Sequence, residues 1–201
     1  MQLLGINMMS KKMKAMLFIT VLFVLLLAGC TQMYICAKMD RQAGLNGSFE
    51  VTDGGYSVNW LYNAPPIKDG SATVSLDTSV FIDGKKSIKI VARKVSDSDR
   101  VWKKPGLSTR IPVSQRKTYR LSFRAKNKGS SFYAKWISAT YNQKKHLRSK
   151  YVLKTDKSFS RWKAFADTIS VDDNEKLILL DFVMTAPGTL WIDKVMFEEL
   201  Q

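Results

Sequence analysis

The chain has 201 residues, with 32 Lys and Arg against 17 Asp and Glu, one His and two Cys, and a formal net charge of +15. That length supports one domain with a sizeable core, and a composition 45% hydrophobic and 24% charged belongs to a globular chain rather than a disordered one. Two Cys and one His exclude a disulfide-dense mini-fold, a four-Cys zinc site and a His-rich metal centre, and leave little room for a His-based triad.

The first thirty residues read as an address. Lys11, Lys12 and Lys14 precede an uncharged apolar run from Ala15 to Leu27. A spanning helix needs about 20 such residues, so this shorter run fits the apolar core of a signal peptide. It ends in Leu27-Ala28-Gly29-Cys30, which resembles a bacterial lipobox, where cleavage precedes a Cys whose thiol carries acyl chains. A plain secretory signal or a membrane anchor that happens to contain a Cys is the alternative. On the lipobox reading residues 1–29 are removed, Cys30 is the lipidation site, and residues 30–44 form a tether without clear period. Cys36 then has no disulfide partner. Residues 1–10 add nothing to this design, and Met8, Met9 or Met13 could equally start it. The mature chain would sit in the bacterial envelope, anchored by lipid outside the cytoplasm; Thr31 leans weakly towards the outer membrane or cell surface. Binding to nucleic acid is then disfavoured in spite of the positive charge.

From Gly47 onward the informative pattern is alternation. Ile88 and Ile90 stand among polar neighbours in Lys86–Ala92. In Lys117–Lys126, Tyr119, Leu121, Phe123 and Ala125 share one face while Arg120, Arg124 and Lys126 share the other. Strand Phe132–Tyr141 has aromatics in both registers. Tyr133, Ile137 and Ala139 read as its core register, which turns Trp136 outward; a one-residue bulge would reverse that choice. In Arg148–Lys154, Tyr151 and Leu153 oppose Arg148, Lys150, Val152 and Lys154. In Lys176–Met184, Ile178, Leu180, Phe182 and Met184 oppose Leu177, Leu179, Asp181 and Val183. Turns at Asp83-Gly84, Lys128-Gly129, Asp172-Asp173-Asn174 and Pro187-Gly188 punctuate these runs. Short strands at regular spacing without helices between them predict an all-β antiparallel sandwich of one domain, residues 45–199.

Five motifs along this domain resemble those of family 4/9-type carbohydrate-binding modules. They are Leu45-Asn46-Gly47-Ser48-Phe49-Glu50 with Trp60 following; Gly84-Lys85-Lys86-Ser87-Ile88-Lys89-Ile90; Tyr119-Arg120-Leu121-Ser122-Phe123-Arg124-Ala125-Lys126; Trp162 before a strand; and Leu190-Trp191-Ile192-Asp193-Lys194-Val195. Their order holds across nearly all of residues 45–199. The resemblance implies a jelly roll of the galactose-binding-domain-like kind, with one concave face lined by aromatics. It also implies a structural Ca²⁺ near the chain ends, for which Glu50 and Asp193 match the side-chain ligands. Those two carboxylates could equally cap strand ends. By the same resemblance Trp102, Trp136 and Tyr141 fall in the region that forms the cleft, while Trp60, Trp162 and Phe165 fall in the core.

The positive charge is concentrated. Residues 30–100 carry nine basic and eight acidic side chains, residues 101–163 carry eighteen and one, and residues 164–201 carry two and eight. If the polar faces in the middle stretch line the cleft, Arg120 and Arg124 would pair with carboxylate or sulfate groups of an acidic polysaccharide. The same face could instead be a solvated basic surface that keeps the protein near anionic lipid.

Catalysis has little support. Glycoside hydrolysis needs two carboxyls about 5–10 Å apart, and the central strands hold only Asp156 between residues 101 and 163. Tyr141-Asn142-Gln143 with His146 faintly resembles a lyase strand ending, without the rest of that signature. The reading is therefore a monomeric, lipid-anchored protein that binds polysaccharide without cleaving it. It would assist hydrolases or lyases carried on other chains. A structural lipoprotein using the same basic surface for another envelope partner is the alternative.

Overall fold

Period-two sequences become two antiparallel sheets packed face to face. The computed structural model describes residues 34–36, 38–64, 72–140 and 146–201, and among them the one helical element is a 3-10 turn at Val101–Lys103. The leader 1–29, Cys30 and Tyr141 lie outside the described residues.

One sheet has six strands in the order β1 (Tyr34–Cys36), β4 (Leu61–Asn63), β7 (Gly106–Pro112), β12 (Leu177–Met184), β9 (Phe132–Ala139) and β10 (His146–Thr155). The other has five, in the order β11 (Phe159–Ser170), β8 (Thr118–Lys128), β13 (Gly188–Leu200), β6 (Ser87–Ala92) and β5 (Ala72–Asp77). A small hairpin joins β2 (Thr52–Asp53) to β3 (Tyr56–Ser57). Chain neighbours are frequently not sheet neighbours, because the chain crosses repeatedly between the two sheets. The expected all-β sandwich is what the residues form.

The inner faces supply the core. From β12 come Ile178, Leu180, Phe182 and Met184, and from β8 come Tyr119, Leu121, Phe123 and Ala125. The Phe123 and Phe182 rings meet edge to face across the two sheets, centroids 4.9 Å apart. Fully burying such a ring contributes about 2–3 kcal/mol, so these contacts hold the layers together. Trp60 and Phe49 close one end, their centroids 5.2 Å apart, and the Trp60 indole N–H donates to the Leu45 and Asn46 carbonyls. Trp60 and Phe165 are thus placed in or against the core as expected, while Trp162 is only half-buried.

Three expectations change. The tether of residues 30–44 is too long: β1 pairs with β4, and one compact unit runs from Met33 to Gln201. Within this unit Asn59 clamps the segment before Leu45, its side-chain amide donating to the Asp40 and Gly44 carbonyls at 2.6 and 2.7 Å. The buried core residues described for this unit run from Phe49 to Val195.

The register of β9 is the reverse of the one read from sequence. Phe132, Ala134 and Trp136 face the core, and Tyr133, Lys135 and Ile137 face outward. Lys135 decides this, since a core register would have buried an ammonium without a partner. In β10 the alternation breaks between Tyr151 and Leu153, where the pairing with β9 slips by one residue. The slip leaves Tyr151 exposed and turns Leu153 against the core.

Candidate functional site

Directly paired residues of an antiparallel ladder project to the same side of the sheet. On the outer face of the six-stranded sheet this lines up Leu61, Ser108, Asp181, Lys135 and Tyr151 in one row. The adjacent row is Asn63, Gly106, Val183, Tyr133 and Lys154. Arg110, Leu179, Ile137 and Ser149 follow on the other side. An aromatic pair therefore sits at the β9–β10 end of a polar, positively charged sheet face.

The Tyr133 and Tyr151 rings meet edge to face, centroids 5.3 Å apart. Tyr151 is 47% exposed, and the Lys135 and Lys154 ammonium groups lie 5.1 and 5.9 Å from its ring centre. Burial pushes the Tyr133 hydroxyl up to about 12, with the Asp181 carboxylate and Tyr151 adding to it. It is thus a neutral donor over the whole physiological range. Burial also pushes the Asp181 carboxyl above its ordinary value, although the Ser108 hydroxyl it accepts from and the charges of Lys135 and His146 work against that. Such a surface offers ring faces for the C–H side of a sugar and close polar groups for its hydroxyls or acidic substituents.

Trp102 belongs to this neighbourhood through its backbone. The 3-10 turn that carries it is tied down by Asn63, whose side-chain amide donates to the Val101 and Lys104 carbonyls at 3.2 and 2.6 Å. The Met184 N–H donates to the Pro105 carbonyl at 2.9 Å and fixes the turn's exit. Trp102 itself is 46% exposed, with the Arg100 guanidinium 5.6 Å from its ring centre. Its anchor on β4 lies in the same sheet as the tyrosines, three strands from Tyr133 and four from Tyr151.

Trp136, Arg120 and Arg124 are not brought together with Trp102. Trp136 is 6% exposed and sits in the core, its indole N–H donating at 2.9 Å to Asp167 on β11. It is a buried strut at the edge of the sandwich, not a sugar platform, because β9 takes the opposite register. Arg120 and Arg124 lie on the outer face of the five-stranded sheet, since their strand buries Tyr119, Leu121 and Phe123 in the core. The expectation that both arginines share a cleft with Trp102 and Trp136 is thereby corrected. Arg148 and Lys150 are also absorbed elsewhere, pairing with Glu175 and Asp167. Tyr133, Lys135, Tyr151 and Asp181 were missed as site residues. The charge of Lys135 inside the supposed core register was the signal available for Tyr133 and Lys135.

Glu50 and Asp193 do converge, on the turn between β5 and β6. Both Asp193 oxygens are met by backbone donors: Oδ2 by the Ile82 and Asp83 N–H groups at 2.8 and 3.0 Å, Oδ1 by the Lys194 N–H at 2.7 Å. Glu50 Oε1 accepts from the Lys85 N–H at 2.7 Å. Gly84 has φ +66°, and a Cβ there would lie 2.4 Å from Glu50 Oε1, so this carboxylate is packed against the turn. The Lys86 ammonium donates to the Glu50 carbonyl at 3.2 Å. A calcium ion needs six to eight oxygens facing it, whereas these oxygens face N–H and ammonium groups. Among the described residues no third acidic, His or Cys side chain completes a cluster that could hold a metal. The residues present do not fit a calcium ion.

A family model described as a carbohydrate binding domain matches residues 42–188. Among solved structures, the tailspike protein 4 enzymatically active domain of bacteriophage CBA120 superposes at a TM-score of 0.58 with 14% identity, over 82% of this chain and 22% of that one. The CBM22-1 xylan-binding domain of Paenibacillus barcinonensis Xyn10C gives 0.53 with 15% identity, over 77% and 92% of the two chains. A CBM4 structure gives 0.54 with 17% identity, over 77% and 98%. The chain thus spans about a fifth of the tailspike chain and nearly all of the two modules. At these identities the likeness is one of fold. No curated protein matches the chain.

Proposed function

Since this chain belongs to the carbohydrate binding domain family, whose model covers residues 42–188, we propose that it captures polysaccharide without cleaving it, on the outer face of the six-stranded sheet. The observation that carries this reading is the exposed Tyr151 ring, braced edge to face by Tyr133 and flanked by two lysines. Tyr151 stacks a sugar ring, with Trp102 reaching in from the rim. Ser108, Asp181 and the Tyr133 hydroxyl meet the sugar's hydroxyl groups.

Acidic glycans are favoured over neutral ones. A carboxylate or sulfate on the sugar above Tyr151 meets the Lys135 and Lys154 ammonium groups that flank the ring. The cationic contribution expected of Arg120 and Arg124 therefore passes to different residues of the same charge. Hydrolysis by paired carboxyls finds no support on this face, where Asp181 is the single carboxylate at the paired strand positions described. The protein serves as a capture module for enzymes on other chains, held in the bacterial envelope by acyl chains on Cys30.

A glycan array with residues 33–201 at low and moderate salt tests this. Binding of uronic or sulfated glycans that fades with salt and is lost in Tyr151→Ala supports the reading. Binding of neutral glycans alone removes the acidic preference, and silence across the array removes sugar binding.

A further inference from the structure

The opposite face of the sandwich carries a second surface of a different kind. On the outer side of the five-stranded sheet β8 presents Arg120, Arg124, Lys126 and Lys128, and among the described residues none of these forms an ion pair. The acids nearby are largely spent. Asp77 accepts from the Trp191 indole and from Ser79, and Asp193 is buried under its three N–H donors. Glu198, paired with Arg120 in the ladder, is exposed, and Asp83 lies partly exposed within the β5–β6 turn itself.

Over the row of Asp193 and Arg124 sits the turn between β5 and β6. Its tip exposes two adjacent apolar side chains, Phe81 at 41% and Ile82 at 42%, followed by Lys85 and Lys86. Met196, one row further along the sheet beside Ser122, is exposed as well. The tip is held rigidly, because Asp193 and Glu50 accept the N–H groups of Ile82, Asp83 and Lys85. Two apolar side chains projected from a fixed turn, with Lys85 and Lys86 following in the same turn and an arginine face without ion pairs beside it, match the layered chemistry of an anionic bilayer surface.

We propose that this face docks on the anionic lipid surface to which the chain is anchored, with Phe81 and Ile82 entering the headgroup boundary and Arg120, Arg124 and Lys126 meeting lipid phosphates. The chain outside the structure agrees with that occupant. On the lipobox reading, on which this inference rests, the acyl chains are carried by Cys30, four residues before Tyr34, and four residues can span at most about 14 Å. Because β1 belongs to the other sheet, so short a leash keeps the domain near the bilayer without choosing its face, and the basic patch makes that choice, one lipid signal being regularly reinforced by such a patch. The two outer faces of a sandwich point in opposite directions, so docking through this one leaves the tyrosine face turned towards the exterior.

The test is sedimentation of residues 33–201, without acyl chains, with vesicles of phosphatidylcholine alone and of phosphatidylcholine mixed with phosphatidylglycerol. The expected result is binding to the mixed vesicles only, fading with salt. Combining Phe81→Ser with Ile82→Ser, or Arg120→Ala with Arg124→Ala, lowers the vesicle affinity about tenfold. Melting temperature and glycan binding of both double variants stay at wild-type values. Equal binding to phosphatidylcholine alone, wild-type affinity in both double variants, or no binding to either vesicle overturns the proposal.

Discussion

The Tyr133 ring stands edge-on to the face of Tyr151, 5.3 Å between centroids, and fixes the only strongly exposed aromatic ring described on the β9 and β10 strands. A platform already held in place loses little side-chain entropy when a sugar stacks on it. Tyr151→Ala is therefore expected to lower glycan affinity tenfold or more, about 1.4 kcal/mol, while the melting temperature stays within a few degrees. Trp136→Ala should do the reverse. Emptying its buried site costs about 3–5 kcal/mol of stability, and the folded fraction keeps its affinity. Calorimetric titration beside thermal melts of both variants separates the two roles.

Lys135 and Lys154 flank the Tyr151 ring from two strands. Lys135→Ala and Lys154→Ala are each expected to weaken an acidic glycan about fivefold at low salt and to leave a neutral one unchanged. Titrations at two ionic strengths read this directly. Equal losses for acidic and neutral sugars would show that the lysines merely brace the ring.

The sandwich was legible because strands that bury one face must alternate, and β8 does so without interruption. The site was less so. β9 carries aromatics in both registers, and choosing Tyr133 over Phe132 and Trp136 as core hid the platform until Lys135 was seen to share its face. The slip after Tyr151 has no marker in local sequence, because the broken alternation Tyr151-Val152-Leu153 is apolar throughout. Basic residues were correctly located along the chain but not in space. Arg120 and Arg124 point away from the lysines beside Tyr151, and only the pairing of strands into two sheets decides that. Glu50 and Asp193 were placed together by resemblance, and the donors that meet them became visible only with the turn Ile82–Lys85 in position.

Arg148 clasps the end of the sandwich. Its guanidinium donates from both Nε and Nη2 to Glu175, which is 1% exposed, and also to the Ser170 carbonyl. Burial alone would raise the Glu175 carboxyl; hydrogen bonds from Arg148 and Ser138 overcome it and hold the group below its ordinary value. The folded state thus binds this proton more weakly than the unfolded one. The stabilisation is complete above the ordinary glutamate value, about 4.3, and is lost as pH falls from there through the folded value. Arg148→Ala should cost about 2 kcal/mol at neutral pH, reduced from the fully buried case because the guanidinium is partly exposed. Denaturant melts at neutral pH and near pH 3 check it: the gap between variant and wild type narrows in acid.

Asp193 holds the β5–β6 turn through backbone donors. Asp193→Ala would leave the Ile82, Asp83 and Lys194 N–H groups without their acceptor, at a cost of about 2–3 kcal/mol. Asp193→Asn keeps one acceptor oxygen and should recover part of that. Burial holds this carboxyl above its ordinary value, against the pull of the Ile82, Asp83 and Lys194 donors. A bound divalent ion would instead favour its charged form. Neither millimolar calcium nor a chelator is therefore expected to move the melting temperature of the wild-type protein. A ligand bound well below its concentration stabilises by several kcal/mol, so a calcium site would raise the melting point by several degrees. A rise of that size, abolished by both Asp193→Asn and Glu50→Gln, would show that the two carboxylates exchange their N–H partners for a metal.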